Sequence, residues 1–282
     1  MKINEALKKE RKAQHKTQAE WIKDIDMSVS HYSEIESGYT RNGKHSDIDS
    51  EDLILLLKSN NVSVDDFFDV VQNSYVVDQK SEKVKQLFKD LSKAFNEKNY
   101  AKAKAVRDEV QQLPYAPKYL YYCAILITAD LKDNMLSLDP LDKKRINKYI
   151  YQSSDWVDNS EILVIFGNSL PILDKNILNN RMKQLLRRYK KINDFPTNVQ
   201  VRISTICINY LYDNVMVRKD NDYLPDALKL IKDLPANDIF GLKKIIAKYL
   251  EDVANENVLH KDDLQTILIR SGLKNVADRL LI

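Results

Sequence analysis

The stretch Thr17–Gly38, TQAEWIKDIDMSVSHYSEIESG, decides how the N-terminal part of this chain is read. Thr17 and Glu20 have the spacing of a capping box, in which each side chain satisfies a free amide at a helix start. Trp21, Ile22 and Ile25 then supply the apolar side of one short helix. Ser28 is a good N-cap for a second, which carries Val29, Tyr32 and Ile35 and stops at Gly38. Two short helices joined tightly, with small polar side chains at the start of the second, have the pattern of a helix-turn-helix reader of duplex DNA.

Three further helices complete this segment. Asn4–Lys12 is amphipathic, with Ala6 and Leu7 facing inward. A fourth helix runs over Glu51–Lys58 with acidic residues in its first turn, which suits the helix dipole. A fifth starts at Ser63, where Ser63 and Asp66 repeat the capping-box spacing, and buries Val64, Phe67, Phe68 and Val71. Between helices three and four lies YTRNGKHSDID, Tyr39–Asp49, a polar loop with an Asn-Gly turn signal. Residues 1–72 are therefore expected to form the helix-turn-helix domain. Residues 73–80 read as a linker, with Tyr75–Val77 alternatively ordered against a neighbour, and 81–282 as a second, helical domain.

In that second domain the apolar period is 3.6. Val84, Leu87, Phe88, Leu91 and Phe95 fall on one helix face, as do Leu242, Ile245, Ile246, Tyr249, Leu250 and Val253. Unusually apolar helices start near Tyr119, Glu161, Val199 and Ile239, about 40 residues apart. Amphipathic partners occupy the gaps at Asp142–Tyr151, Asn176–Tyr189, Tyr223–Leu234 and Asp262–Leu281. Helix pairs at that period mark an α-solenoid; an irregular helical bundle is the alternative. The fold class expected is all-α, an N-terminal helix-turn-helix domain followed by an α-solenoid of antiparallel helix pairs. Five glycines in 282 residues agree with it.

Composition narrows the function classes. The formal net charge is only +3, which does not advertise nucleic acid by itself. Cys123 and Cys207 cannot build a disulfide framework and read as core thiols in a reducing compartment. The first residues carry no apolar signal region, and no apolar run approaches the ~18 residues of a membrane span. A cytoplasmic protein with no membrane partner is expected. His15, His31, His45 and His260 have no metal-ligand partners at useful spacing. The chain has no HExxH, CxxC, GxSxG or Gly-rich phosphate loop. No catalytic residue, metal or cofactor is expected, and the chain is not expected to be an enzyme.

Two constellations remain. Lys8, Lys9, Arg11, Lys12 and Lys16 cluster just before the helix-turn-helix; a lysine run is commonly a solvated helix face, but here it reads as phosphate anchoring. Nine Lys and Arg face seven Asp and Glu over residues 1–45, and ten face fourteen over 1–72, so DNA contact must use one face of the domain. Lys12, Lys16, Gln18, Arg41 and Lys44 are candidates for a phosphate clamp. Val29, Ser30 and Glu34 are candidates for base edges: a thymine methyl, either kind of base, and a cytosine amine respectively. His31 is a candidate phosphate contact, while Ser33 and Glu36 are assigned to the fold and Tyr32 and Ile35 to the core.

The second constellation is a set of polar stripes on apolar helices. Tyr121 and Thr128 share one face, Glu161 and Asn168 the next, and Arg202, Thr205, Asn209 and Tyr212 a third. Polar groups on mostly buried helices must be satisfied internally or face a partner or groove. An Asn side chain donates and accepts at once, which suits the backbone of an extended peptide. Internally satisfied core polars are the equally simple reading of these residues.

The N-terminal segment resembles lambda-repressor-like helix-turn-helix domains. The helical array, with WVDNSEILVIFGNSLPIL at Trp156–Leu173, resembles the Rgg group of peptide-pheromone receptors from Gram-positive bacteria. The resemblance implies a quorum-sensing transcription regulator, a homodimer through its C-terminal region. Its tetratricopeptide-like array would bind a short signalling peptide in its concave groove, and paired recognition helices would read a palindromic operator. Asn168 falls in the matching motif. The chain departs from the group in two ways. The loop after Gly38 is several residues longer, and residues 1–72 hold no cysteine for the inter-subunit disulfide of some relatives. An interaction scaffold whose repeats bind a protein partner, with weak DNA binding, is the rival reading.

Overall fold

A computed structural model describes residues 1–75, 79–152, 154–220, 222–257 and 261–280. His260, Leu281 and positions 76–78 of the expected linker lie outside these described residues. Among the described residues the regular secondary structure is α-helical, apart from short 3-10 and π turns and one isolated β-bridge. It divides into two compact units, Met1–Lys83 and Val84–Ile282.

The first unit holds α1 Ile3–Ala13, α2 Gln18–Trp21, α3 Val29–Ser37, α4 Ser50–Ser59 and α5 Val64–Val71. The capping box forms: Glu20 N donates to Thr17 Oγ1 at 3.2 Å and Thr17 N to Glu20 Oε2 at 2.8 Å. Helix α2 nevertheless lasts one turn. Instead of continuing to Ile25, the chain turns so that Ile25 N donates to Ile22 O and Met27 N to Ile25 O. Asp24 and Asp26 are weak helix-interior residues, and turning there still buries Ile22 beside Trp21. Ser28 Oγ caps α3 by accepting from His31 N. Gly38, at φ +80°, closes α3 in the left-handed region. Leu7, Trp21, Tyr32, Ile35, Leu56 and Leu57 form the centre of this core. Phe68, expected inside, is 41% exposed, because Phe67 and Val71 share the core face and Phe68 lies about 100° round the helix.

The stretch read as a linker is divided. Asn73 and Ser74 belong to a 3-10 turn, the Tyr75 hydroxyl accepts from Ile3 N at 2.9 Å, and Gln79 opens α6.

The second unit continues α6 Gln79–Asn96 and adds α7 Tyr100–Gln112, α8 Lys118–Asp130, α9 Pro140–Tyr151, α10 Ser160–Ser169, α11 Lys175–Arg188, α12 Thr197–Tyr212, α13 Leu224–Asp233, α14 Asp238–Ala254, α15 Lys261–Arg270 and α16 Lys274–Arg279. The apolar helices α8, α10, α12 and α14 pack in succession as one layer; α9 packs on α10, and α13 on α12 and α14. The repeat shows in the bonding. Asn209 Nδ2 donates to Gly167 O, and Lys243 Nζ to Val201 O, each across 42 residues. Gly167 allows α10 and α12 to approach, since a Cβ there would stand 2.9 Å from Ile206 Cγ1.

The last partner, expected as one helix over Asp262–Leu281, is two. Gly272, at φ +77°, breaks it: Leu273 N donates to Leu268 O and Gly272 N to Ile269 O. This is a full Schellman closure, with Leu268 and Leu273 joining the same core.

Candidate functional site

In the first unit, the outer face of α3 and the loop behind it form a concavity of about 510 Å³. Five candidates line it: Gln18, Val29, Ser30, Glu34 and Arg41, together with Ser33, which was assigned to the fold but is exposed. Val29 is 45% exposed, an apolar side chain left open at the first turn of α3. Lys12, His31 and Lys44 are also exposed, outside this concavity.

The fold has already engaged part of the basic cluster. Arg11 Nε and Nη2 donate to Glu36 Oε1 and Oε2 at 2.6 and 2.9 Å, and Nη1 donates to Lys16 O at 2.8 Å. Gln18 Nε2 also donates to Glu36, at 3.0 Å. Burial alone would raise the Glu36 carboxyl, but hydrogen bonds from Arg11 and Gln18, with the Arg11 charge, hold it below the usual range. The Lys16 ammonium donates to Asn60 Oδ1 at 2.7 Å and stands over the Trp21 ring. Arg11 therefore serves as a brace between α1 and α3.

The longer loop is a built element. Thr40 N donates to Lys44 O at 2.7 Å and Gly43 N to Thr40 O at 2.9 Å. Gly43 sits at φ +72°, the left-handed position of a three-residue hairpin loop. Tyr39 and His45 form the isolated bridge, with their rings edge to face at 5.9 Å.

In the second unit the nominated residues fall in two places. Tyr121 and Thr128 line a cleft of about 370 Å³ among α7, α8 and the start of α9. Glu161 and Asn168 lie on α10, and Arg202, Thr205, Asn209 and Tyr212 on the adjacent α12. Asn209 gives its amide to Gly167 O at 3.1 Å, satisfying one of the carbonyls that α10 leaves open at its end. Its Oδ1 accepts no hydrogen bond among the described residues. Asn168 donates to Val164 O of its own helix, and Tyr149 Oη reaches Glu161 Oε2 at 3.5 Å. Arg202 makes no ion pair with a carboxylate among the described residues.

Sequence reasoning missed Lys243. From α14 its ammonium reaches Thr205 Oγ1 and Ser204 Oγ at 2.8 Å and Val201 O at 2.7 Å. Burial pushes it down to about 8, and no carboxylate pairs with it among the described residues. The available signal was a lysine one repeat after Val201, in the pair Lys243–Lys244 set between Leu242 and Ile245. A second omission is Arg218, on the π turn Asp213–Arg218, which donates to Asp213 and to the carbonyls of Leu170, Pro171 and Leu173. It grips the end of the Trp156–Leu173 segment.

Among the described residues no cluster of His, Cys, Asp and Glu is arranged to hold a metal, and no helix is long and apolar enough to cross a membrane. Burial pushes the Cys123 and Cys207 thiols up to about 12, which leaves them unreactive core groups.

Neither a protein-family model nor a curated protein sequence matches the chain. Solved structures do. A single-residue variant of the SHP pheromone receptor Rgg2 from Streptococcus dysgalactiae superposes with a TM-score of 0.66 at 16% identity, over 99% of this chain and 97% of that one. A transcriptional regulator from Listeria monocytogenes gives 0.66 at 16% identity over the same shares. A point variant of PrgX gives 0.60 at 18%, over 99% of this chain and 92% of that one. The resemblance drawn from Thr17–Gly38 and Trp156–Leu173 thus extends end to end at the level of fold: this chain has the fold of Rgg2 and PrgX.

Proposed function

We propose that this chain is a cytoplasmic, homodimeric transcription regulator that binds duplex DNA through its first unit and a short linear signalling peptide through its helical repeats. The open outer face of α3 carries the reading. A helix of the size that enters a major groove presents Val29, Ser30 and Glu34 in one concavity, with Arg41 beside them. Lys12 and Lys44 stand exposed for phosphate, and Gln18 borders the same concavity. The peptide half is supported by the fold shared with a pheromone receptor and by the α12 stripe. There Arg202 and Lys243 are cations without carboxylate partners among the described residues, and Asn209 keeps an unused acceptor. Ile267 on α15, 60% exposed, offers an apolar contact to a second copy. Two copies would read two half-sites about one DNA turn apart.

The test uses the full chain purified from its native host. Mass spectrometry identifies any co-purified peptide, and calorimetric titration of its synthetic form follows. Asn209→Ala is expected to weaken that binding about ten-fold, the equivalent of one or two hydrogen bonds, with a modest fall in melting temperature from the freed Gly167 carbonyl. Lower stability with unchanged affinity would assign Asn209 to the fold alone. Absence of any bound peptide would refute the peptide half.

A further inference from the structure

The hairpin after α3 folds back along the helix it follows. Arg41 N donates to Glu34 Oε1 at 3.1 Å, so one carboxylate oxygen of the expected cytosine reader holds the hairpin. Ser37 Oγ donates to Tyr39 O at 2.8 Å, and Ser46 N to Gly38 O at 3.1 Å, which fastens both hairpin ends to the end of α3. The Arg41 guanidinium then reaches back to within 3.4 Å of Ser30 Oγ, beside the first turn of α3. In a helix-turn-helix that first turn is the part that meets base edges. Arg41 is exposed and pairs with no carboxylate among the described residues, so apart from the long contact to Ser30 its guanidinium donors are open.

We propose that Arg41, presented by the Tyr39–His45 hairpin, is a base-reading side chain of the first unit and that the base it reads is guanine. The inference rests on the DNA-binding reading above. Guanine offers O6 and N7 side by side in the major groove, which a planar guanidinium matches with two parallel N–H bonds. No other base presents two acceptors there. Ser30 offers one hydroxyl, and Glu34 already accepts from the hairpin backbone, so neither side chain provides a comparable fork. The closed hairpin holds Arg41 in place before DNA arrives, which lowers the entropy lost on binding. Glu34 and Ser30 become positioning residues for Arg41.

The experiment selects binding sites for the full-length protein from a random duplex library. Four proteins are compared: wild type, Arg41→Ala, Arg41→Lys and Lys12→Ala. The wild type is expected to enrich a motif with an invariant guanine in each half-site. Arg41→Ala should lose the preference at that position alone and bind the wild-type motif at least ten-fold more weakly. Arg41→Lys, which leaves the hairpin backbone contacts in place, should retain a weakened preference for guanine. Lys12→Ala should weaken all sequences alike, keep the motif and reduce the salt slope. An Arg41→Ala protein that enriches the unchanged motif with uniformly lower affinity would make Arg41 a phosphate contact and overturn the inference, leaving DNA binding intact. A wild type that enriches no motif would overturn the sequence-specific DNA reading of this unit and the inference together. Matching circular dichroism and melts would show that the exposed substitutions leave the fold intact.

Discussion

Replacing Arg11 by Ala removes the partner of a carboxylate that has no other charge to meet. The Glu36 side chain is 1% exposed and the Arg11 side chain 12%, with two hydrogen bonds between them. After the substitution, the Gln18 amide, 3.0 Å from Glu36 Oε2, is the donor that remains. Breaking a buried pair from one side costs about 3–5 kcal/mol. For a unit of this size, about 3 kcal/mol corresponds to a fall in melting temperature of roughly 12–24 °C. The pH dependence carries a second signature. Burial raises the Glu36 carboxyl, but the hydrogen bonds from Arg11 and Gln18 and the Arg11 charge outweigh it, so in the native protein it is held below the ordinary carboxylate range. Its stabilising contribution is therefore present above the ordinary carboxylate value and is lost as pH falls through the folded value. Without Arg11, burial dominates and protonation relieves the strain. The deficit of Arg11→Ala should be largest at pH 7 and shrink towards pH 4. Fluorescence melts of the full chain in a Trp156→Phe background, where Trp21 alone reports the first unit, measure both effects. A double variant, Arg11→Met with Glu36→Leu, should recover most of the loss. A deficit under about 4 °C, or one that does not change between pH 7 and 4, would refute the reasoning.

Two further outcomes follow from other parts of the chain. Lys243 titrates near 8 in the folded protein against an ordinary 10.5, so above about 8 the unfolded chain binds the extra proton and native stability should rise towards pH 10. Lys243→Met should raise stability at pH 7 and flatten that rise, read as the difference between paired melts at pH 7.5, 9 and 10. Glu256 closes α14 at φ +58°, with Glu256 N and Asn257 N donating to Val253 O and Asp252 O. Glu256→Gly keeps that closure without the Cβ penalty and should stabilise by about 1 kcal/mol in urea unfolding.

What the sequence determined by itself is the local part of this protein. The caps at Thr17 and Ser28 and the stop at Gly38 join residues three or four apart, and α3 was legible to the residue. The apolar helices of the second unit were legible too, because a 3.6 period and a spacing near 40 persist whatever the neighbours are. Even the break in the last helix had a local sign, Gly272 followed by Leu273, that the apolar periodicity overrode. Tertiary structure decided the rest. Arg11 and Glu36 are 25 residues apart, and only packing α1 against α3 turns a cation of the basic cluster into a brace. Lys243 meets Thr205 across 38 residues, and Arg41 returns to Ser30 across 11, through a hairpin that reads in the sequence as a polar loop. A charged side chain carries no local mark of whether it will meet solvent, a carboxylate or a ring of carbonyls. Its role is set by the dielectric and the partners that the fold brings to it, and those exist only once distant helices have packed.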